Sequence, residues 1–427
     1  MALGGGSFTT QNKILPGAYI NFINAVKANN SLSTRGVVAV GLSLDWGKDD
    51  GVLIVSKDEF QKHTLKLFGY AYDAAEMKCL RELFRHATKV IVYRLNGGVK
   101  ASSVYATAKW SGTQGNKIKT VITVNADDET KFDVSTYFDT LLVDNQIGVV
   151  NAASLKGNDF VDFKTDASLA VTAGTALTGG TNETVTGIQH QVFLATIESY
   201  HFNILACAVD DATTKGLYVA FTKRLREELG MKFQTVLYNM ASDYIGVINV
   251  KNSSELVYWV AGAQAGCEVN SSCTNMIYDG ECSILTAYTQ LQLETSMKDG
   301  EFVFHRVGDE FRVLADINSF VTTTTEMGED FQSNQTVRVL DQIGNDMATI
   351  FNTKYLGKIP NDESGRVSLW SDIVSYLQKL QSIRAIEGFD AADVTVEPGE
   401  TKKAVVVYSA VTPTNCMEKL YMTVVVE

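Results

Sequence analysis

Apolar and polar residues alternate along the chain in a way that predicts an α/β layer interrupted by an insertion. Residues 36–40 and 89–95 are short runs rich in apolar residues, typical of buried strands. Between them, Ser56 and Glu59 form the capping-box pattern that marks the start of a helix. Residues 188–330 resume the same rhythm of strand and helix, so we expect them to complete the layer that the earlier stretch begins.

The composition changes at residues 96–98, where Asn and two Gly residues precede a long stretch rich in Thr, Val, Asp and Gly. Within it, an apolar run at 118–124 is followed by turn residues at 125–128, and helical periodicity is rare. The sequence therefore predicts an inserted all-β domain at 97–187. We expect residues 172–186 to be the linker that returns the chain to the α/β layer.

The two ends of the chain differ from the layer between them. Residues 331–427 predict a smaller α+β unit, with helices at about 334–356 and 367–384 followed by strands. A strand-like patch at 18–23 either folds back onto its own chain or joins a sheet elsewhere, because one short strand cannot bury its own apolar face. The predicted segments are an N-terminal arm (1–30), the first part of the α/β domain (31–96), the inserted β domain (97–187), the second part of the α/β domain (188–330) and the C-terminal α+β domain (331–427).

The charge balance disfavours several classes of partner. The 427 residues carry a net charge of -12, with a pI of about 5.0, whereas nucleic-acid binding needs clustered Lys and Arg. No apolar run approaches the length of about 18 residues that spans a bilayer, so we expect no membrane insertion. The first residues lack the basic and apolar regions of a signal peptide, which predicts that the protein is made and assembled in a cytosol.

The chain carries no recognisable reaction centre. Of its six cysteines, Cys267, Cys273 and Cys282 lie close together but form no CxxC pair, so buried free thiols are expected rather than a zinc site. Phosphate-binding loops, dinucleotide-binding motifs and HExxH are absent from the sequence. Any of the five histidines could still partner a serine in space. We predict no catalytic residue, no cofactor and no metal, which favours a structural or binding protein.

Several stretches together resemble the contractile tail sheath proteins of phages and phage-tail-like bacteriocins, in particular the Gram-positive prophage and clostridial type. They are PGAYINF at 16–22 followed by GVVAV at 36–40, VAGAQAG at 260–266 with Asn270, Ser272, Thr274 and YDG at 278–280, VLADINSF at 313–320, and MEKLYMTVVV at 417–426. Their order and spacing carry the resemblance, which extends to every segment except the β insertion.

This resemblance implies a multidomain fold. A subtilisin-like α/β domain would carry an inserted β-sandwich, followed by a C-terminal α+β domain, with extension strands at both termini. It also implies a structural subunit that stacks as six-membered rings around an inner tube and contracts, without a nucleotide, to drive the tube through a target cell envelope. The implied partners are further copies of the chain, the inner tube protein, and the baseplate and tail terminator proteins. The alternatives are a serine-hydrolase-like enzyme and another virion structural or adhesin protein.

Strands at the two termini are the first predicted contact sites, because sheath strands of this kind join a neighbour's sheet. The candidate residues are Tyr19, Ile20, Asn21 and Phe22 near the start and Tyr421, Met422, Thr423, Val424, Val425 and Val426 near the end. Both faces of the second strand are apolar enough to need cover, and an unpaired strand at a free terminus is an aggregation hazard. The alternative is that both strands close the subunit's own sheet.

Basic residues of the last domain are the second predicted contact site, facing the tube. The candidates are Lys354, Lys358, Arg366, Lys379 and Arg384. An interpretation of equal weight is that these are ordinary cations, favoured by the dipole near helix C-termini. We also expect residues 97–187 to face outward and to be dispensable for assembly.

Overall fold

The structure is a computed structural model that describes residues 32–426, and its largest element is a seven-stranded sheet. The chain before the insertion forms β1 (Val37–Leu42), β2 (Val52–Ser56), α1 (Lys57–Phe68), α2 (Lys78–Leu83) and β3 (Lys89–Arg94). The predicted capping box is confirmed: the Glu59 N–H donates to Ser56 Oγ, and the Ser56 N–H donates to the Glu59 carboxylate.

Residues 98–182 form eight strands and no α-helix, as the composition predicts. These strands are β4 (Gly98–Val99), β5 (Ala106–Ala108), β6 (Ile118–Val124), β7 (Phe132–Phe138), β8 (Leu141–Val149), β9 (Val161–Phe163), β10 (Thr172–Ala176) and β11 (Thr181–Asn182). Four of them make an antiparallel sheet in the order β10-β6-β7-β8, and β5 pairs with β9. At the base, β4 pairs with β11 through Val99 and Thr181, so the chain enters and leaves the insertion at one place.

Residues 172–186 are not the linker that we expected. Thr172 pairs with Ile122 and Thr175 pairs with Thr120, which makes β10 an edge strand of the insertion's own sheet. β10 consists of Thr, Ala and Gly, so its apolar alternation is weak and its neighbour β6 determines its conformation. Only the few residues after β11 connect the insertion back to the α/β layer.

The chain after the insertion returns to alternating helices and strands. Its elements are α3 (Gly187–Ile197), β12 (Ile204–Cys207), α4 (Ala212–Glu227), β13 (Gln234–Tyr238), β14 (Val247–Val250), α5 (Leu256–Gly266), α6 (Gln290–Lys298), β15 (Glu301–Phe302), β16 (Phe304–Val307) and β17 (Glu310–Val313). The large sheet has the order β15-β14-β13-β12-β1-β3-β2, in which β2 alone runs antiparallel to its neighbour. β1 and β12 lie side by side, with Val38 opposite Ile204, so two distant stretches of chain complete one sheet.

Helices cover both faces of this sheet. Val38 and Val40 point into the core that α1, α2 and α5 cover, whereas Ala39 points into the core beneath α3 and α4. Successive side chains of a strand point to opposite faces, so strands with two covered faces consist mainly of apolar residues. This arrangement confirms the predicted mixed α/β layer.

The C-terminal domain packs two helices against small sheets. Its elements are α7 (Asn334–Ile350), a π-helical turn (Phe351–Tyr355), α8 (Glu363–Ser382), β18 (Ile386–Glu387), β19 (Val394–Pro398), β20 (Val405–Ser409) and β21 (Thr412–Pro413). Leu369, Ile373 and Leu377 of α8 pack in a core with Val339 and Ile350 of α7. Short 3-10 turns elsewhere in the chain lie at Ala75–Met77, Thr113–Lys117, Ala152–Ser154, Glu329–Gln332 and Ala391–Asp393.

Candidate assembly surfaces

The C-terminal segment leaves the folded domain just after β21. Gln335 of α7 holds its start, because its amide nitrogen donates to the Thr414 carbonyl at 3.0 Å and its amide oxygen accepts from the Cys416 N–H at 3.0 Å. The Thr274 hydroxyl donates to the Glu418 carboxylate at 2.7 Å. The segment is therefore tied to α7 and to the loop after α5 until it reaches Glu418.

Beyond Glu418 the segment is exposed. Tyr421 is 88% exposed and Val426 is 89% exposed, although both are large side chains. The residues predicted to pair with a neighbour, Tyr421, Met422, Thr423, Val424, Val425 and Val426, form no strand with any part of residues 32–426. The matching candidates near the start, Tyr19, Ile20, Asn21 and Phe22, lie outside the described residues.

An open-edged hairpin lies in the same domain. β20 pairs antiparallel with β19, and within the described part of the chain no strand pairs with its other side. Val406 and Tyr408 on β20 are exposed. Beneath the hairpin, a cavity of about 420 Å³ is lined mainly by apolar side chains, among them Met347, Ile373 and Val407. This surface therefore combines unpaired backbone groups with an apolar floor.

The predicted tube-facing residues do not form one cluster. Arg366 is in the first turn of α8 and Lys379 is in its last, so their Cα atoms are about 20 Å apart along the axis at a rise of about 1.5 Å per residue. Arg384 follows the end of α8 and adopts a left-handed backbone with a φ of 60°. Lys379 and Arg384 thus lie at one end of α8, and the remaining candidates lie toward the other.

Local partners hold the three residues of that second group. The Lys354 ammonium lies 3.1 Å from the Asp372 carboxylate, Lys358 Nζ donates to the Thr353 carbonyl at 2.5 Å, and Arg366 donates to the Asn361 side chain at 3.2 Å. The alternative explanation by helix dipole fits Lys354 and Lys379, which lie near helix C-termini, but not Arg366, because a cation at a helix N-terminus is disfavoured.

A buried polar network joins the C-terminal domain to the α/β layer. Arg338 of α7 donates to the Gln264 side chain at 2.7 Å and to the Ser271 carbonyl at 2.6 Å, and lies 3.2 Å from the Asp316 carboxylate. Asp316 also accepts from Asn334 at 2.9 Å. Arg338 and Asp316 are almost wholly buried, so the pair is enclosed and each charge is surrounded by donors or acceptors.

A second buried pair lies further along α7. Arg226 of α4 binds both carboxylate oxygens of Asp341, at 2.6 and 2.7 Å. Sequence reasoning missed both pairs, although a signal was present. The polar residues of α7 recur at helical spacing and form a stripe along one side of the helix: Asn334, Arg338, Asp341, Gln342, Asn345 and Asp346.

His86 and His190 have ordinary structural partners. His86 Nε2 lies 3.2 Å from the Asp279 carboxylate, and the buried His190 is hydrogen-bonded to the Tyr218 hydroxyl at 2.8 Å. Across residues 32–426, no group of three or more His, Cys, Asp or Glu side chains could hold a metal ion. In the same part of the chain, no helix is both long and apolar enough to cross a bilayer.

Comparison with known proteins accounts for almost the whole chain. Three family models match consecutive stretches: the phage tail sheath β-sandwich domain at residues 88–182, the sheath central domain at 183–319 and the sheath C-terminal domain at 326–427. The first of these matches confirms the predicted β-sandwich.

Individual relatives agree with these models. The phage-like element PBSX protein XkdK of Bacillus subtilis is 34% identical, with 99% of each chain covered. The crystal structure of a sheath tail protein from Desulfitobacterium hafniense is similar with a TM-score of 0.83 and 36% identity, covering 95% of this chain and 99% of that one. The helical sheath of the anti-feeding prophage, solved in its contracted state, shares the fold with a TM-score of 0.55 at 12% identity, covering 97% and 99%. The chain belongs to the phage tail sheath family, whose members are structural proteins of contractile injection systems.

Proposed function

We propose that this chain is a sheath subunit that polymerises as stacked six-membered rings around an inner tube and contracts to drive that tube through a target cell envelope. Family membership supports the proposal, as does the shared fold with a sheath solved in a contracted state. In this proposal baseplate and tail terminator proteins bind the two ends of the cylinder. The α/β domain keeps a subtilisin-like fold but acts as a rigid body rather than as an enzyme.

The observation that carries the proposal is the exposed apolar segment beyond Glu418. A segment with two apolar faces and no strand partner among residues 32–426 is suited to donation to another subunit's sheet. Each backbone hydrogen bond formed in this way contributes about 0.5–1.5 kcal/mol. Residues 18–23 would donate a second strand, and the chain next to each strand would act as the hinge during contraction.

The acceptor in this proposal is the free edge of β20. A strand added there completes the unpaired backbone groups of β20, and its inward side chains cover the apolar cavity that Met347, Ile373 and Val407 line. Donor and acceptor belong to the same chain type, so every subunit both gives and receives a strand. The result is a connected cylinder in which subunits move without separating.

Replacing one residue in the donated strand tests this mechanism. Val424→Pro removes a backbone N–H and cannot continue a sheet ladder, so we expect a folded monomer that builds no hollow cylinders in electron micrographs. Val424→Thr keeps a β-branched side chain and is the matched control, which should build cylinders like those of the wild type. Both variants should melt as the wild-type monomer does, since the segment is exposed in the single chain. Normal cylinders from Val424→Pro would exclude donation of this strand.

Deletions test the two termini separately. Removing residues 1–24 or 417–427 should each leave a soluble, folded chain that does not polymerise. If the terminal strands instead close the subunit's own sheet, either deletion lowers the melting temperature of the monomer. Cylinders of ordinary length from one deletion would show that this terminus is not needed for the connected cylinder.

The two groups of basic residues make distinct candidates for the tube-facing surface. The paired variant Lys358→Glu with Arg366→Glu alters one end of α8, and Lys379→Glu with Arg384→Asp alters the other. Exposed ion pairs contribute up to about 1 kcal/mol each, so the double variant of the tube-facing end should weaken tube binding severalfold, with less effect at high salt. Co-sedimentation with assembled tube measures this. The other variant serves as its control, and binding as tight as that of the wild type by both would assign the tube contact to other residues.

The insertion is the segment whose removal should leave assembly intact. β4 and β11 pair at its base, so replacing residues 100–180 with a short Gly-Ser link preserves the geometry of the α/β layer. Trp46, which packs into the insertion's core, is changed to Ser in the same variant. We expect thinner cylinders of normal length in electron micrographs. A soluble product that forms no polymer would show that the insertion takes part in assembly.

A further inference from the structure

Two cysteines lie close together at the junction of the α/β layer with the C-terminal domain. Cys267 follows the last residue of α5, and Cys273 lies six residues later in the loop. Cys267 packs against the core cluster that contains Cys273, and each thiol shifts the pKa of the other. The Cys267 thiol donates to the Ser271 carbonyl at 3.5 Å, and the Cys273 N–H donates to the Asp316 carboxylate at 2.9 Å, so the loop folds back on the end of α5.

The two cysteines differ in burial and in the direction of their pKa shifts. Cys273 is wholly buried, whereas Cys267 is partly exposed. The neighbouring Cys273 thiol and the Arg338 guanidinium lower the pKa of Cys267, whereas the Cys267 thiol and burial raise the pKa of Cys273. Arg35 adds a second guanidinium, which donates to the Cys267 carbonyl at 3.2 Å. A partly exposed cysteine with a lowered pKa, beside a buried partner, is the usual arrangement of an oxidisable cysteine pair.

We propose that Cys267 and Cys273 form an intramolecular disulfide when the protein meets a low-molecular-weight disulfide such as oxidised glutathione. The Cys267 thiolate attacks one sulfur of the reagent, forming a mixed disulfide and releasing the first glutathione thiolate, which takes up a proton. The Cys273 thiol then loses its proton and attacks Cys267 Sγ, which forms the internal bond and releases the second glutathione. Two protein thiols are oxidised and one reagent disulfide is reduced to two thiols.

The bridge would brace a loop that holds three other parts of the molecule. Ser271 accepts from Arg338 of α7, the Asn270 side chain donates to the Ile383 carbonyl after α8 at 2.7 Å, and Thr274 donates to Glu418 at the start of the C-terminal segment. A protein released from a reducing cytoplasm into an oxidising medium would gain this brace. The proposal does not depend on contraction or on ring assembly.

Digestion with a protease that cleaves after Glu gives a direct test, because Glu255, Glu268, Glu281 and Glu294 place each cysteine of the region in its own peptide: Cys267 in 256–268, Cys273 in 269–281 and Cys282 in 282–294. The full-length chain carrying Cys416→Ser, which removes the exposed thiol, is oxidised with oxidised glutathione, alkylated and digested without reduction. We expect peptides 256–268 and 269–281 to be linked, the free thiols to fall from five to three, and the melting temperature to rise by roughly 2–4 °C.

Three variants serve as controls in the same background. Cys282→Ser should keep the linked peptides, whereas Cys267→Ser and Cys273→Ser should each lose them. Separate peptides after oxidation, with glutathione retained on Cys267, would overturn the proposal. A link from either cysteine to peptide 282–294 would overturn it as well. The Cys416→Ser chain and its Cys282→Ser variant both keep Cys267 and Cys273. Their peptide maps therefore decide the question even if Cys267→Ser or Cys273→Ser fails to fold.

Discussion

The α/β layer meets its two neighbouring domains through junctions that differ in their central contacts. At the insertion, Trp46 stacks on Phe160 with ring centroids 6.2 Å apart and meets Phe138 edge-on at 6.4 Å. At the C-terminal domain, the corresponding central contacts are the buried pairs of Arg338 with Asp316 and of Arg226 with Asp341. Apolar contact is non-directional, whereas a buried charge pair is stable only in good geometry.

This difference indicates which domain is held in a fixed orientation. A rotation of the C-terminal domain would leave buried charges without partners, which costs far more than a small change in apolar packing. The insertion is held by the β4–β11 pairing, by the apolar contact around Trp46, and by hydrogen bonds of Ser111 with Asp49 and Arg94, none of which joins two buried charges. The C-terminal domain, which carries the exposed terminal segment, is thus the one whose position relative to the sheet is fixed most strictly.

The largest effect is expected from breaking the polar junction, the buried ion pairs between the α/β layer and the C-terminal domain. Arg338→Met leaves Asp316 buried without its cation, which should lower the free energy of unfolding by about 3–5 kcal/mol. Urea unfolding, followed by circular dichroism, measures the change. The double variant Arg338→Met with Asp316→Asn removes the unpaired charge and should recover part of the loss. A decrease below about 1 kcal/mol in Arg338→Met would show that the network does not fix the domain.

Breaking the contact around Trp46, at the junction with the insertion, should have a smaller effect on stability. Trp46→Phe keeps an aromatic ring but leaves the Lys66 carbonyl, which accepts from Trp46 Nε1 at 3.1 Å, without its donor. We expect a loss of about 1–3 kcal/mol in unfolding free energy. Faster proteolytic cleavage at the base of the insertion should accompany it. Trp110→Phe, at a half-buried position in the same core, is the control and should cost less.

A change of pH acts on the α/β layer between the junctions. Burial lowers the pKa of His190 in α3 below its usual value, so the unfolded chain binds this proton more readily than the folded chain does. Stability should therefore fall as the pH drops below about 6.5, by at most about 1.4 kcal/mol per pH unit. His190→Gln should lose this component. Equal slopes for wild type and variant between pH 7 and pH 5.5 would remove His190 from the acid response.

The smallest effect is expected at an exposed pair that resembles the polar junction in chemistry only. Arg224 of α4 lies 2.5 Å from the Glu198 carboxylate, but both side chains are more than one third exposed. Arg224→Met should cost no more than about 1 kcal/mol, and the difference should shrink in high salt. A loss as large as that of Arg338→Met would mean that burial does not separate the two kinds of pair.

Sequence patterns predicted the α/β layer because buried parallel strands are short apolar runs. The segment 204–207 is an example, and the Ser56–Glu59 capping box is another local signal that needs no knowledge of distant residues. β10 escaped prediction because its strand state depends on pairing with β6, about fifty residues earlier in the chain. Local propensity is weak information where the partner decides the conformation.

The candidate surfaces were predictable in part. The apolar alternation at 421–426 is visible in the sequence, and these side chains are exposed in the single chain, while their pairing stays a prediction. The basic residues could be identified, but their separation into two groups at opposite ends of α8 requires the helix bounds. The polar stripe of α7 would ordinarily be assigned to a solvent-facing side, because the sequence alone does not place Gln264 and Asp316 opposite it.

The adjacency of β1 and β12 sets an order of events during synthesis. The Val37 N–H donates to the side chain of Asn203, 166 residues later, so β1 has no permanent neighbour on that side until the ribosome has made and released the whole insertion. At translation rates of about 5–20 residues per second, this delay lasts roughly 8–30 s. The insertion's antiparallel strands are close in sequence and can fold during that interval. The emerging strand β1 is therefore exposed to chaperones and to other nascent chains for a time that the length of the insertion determines.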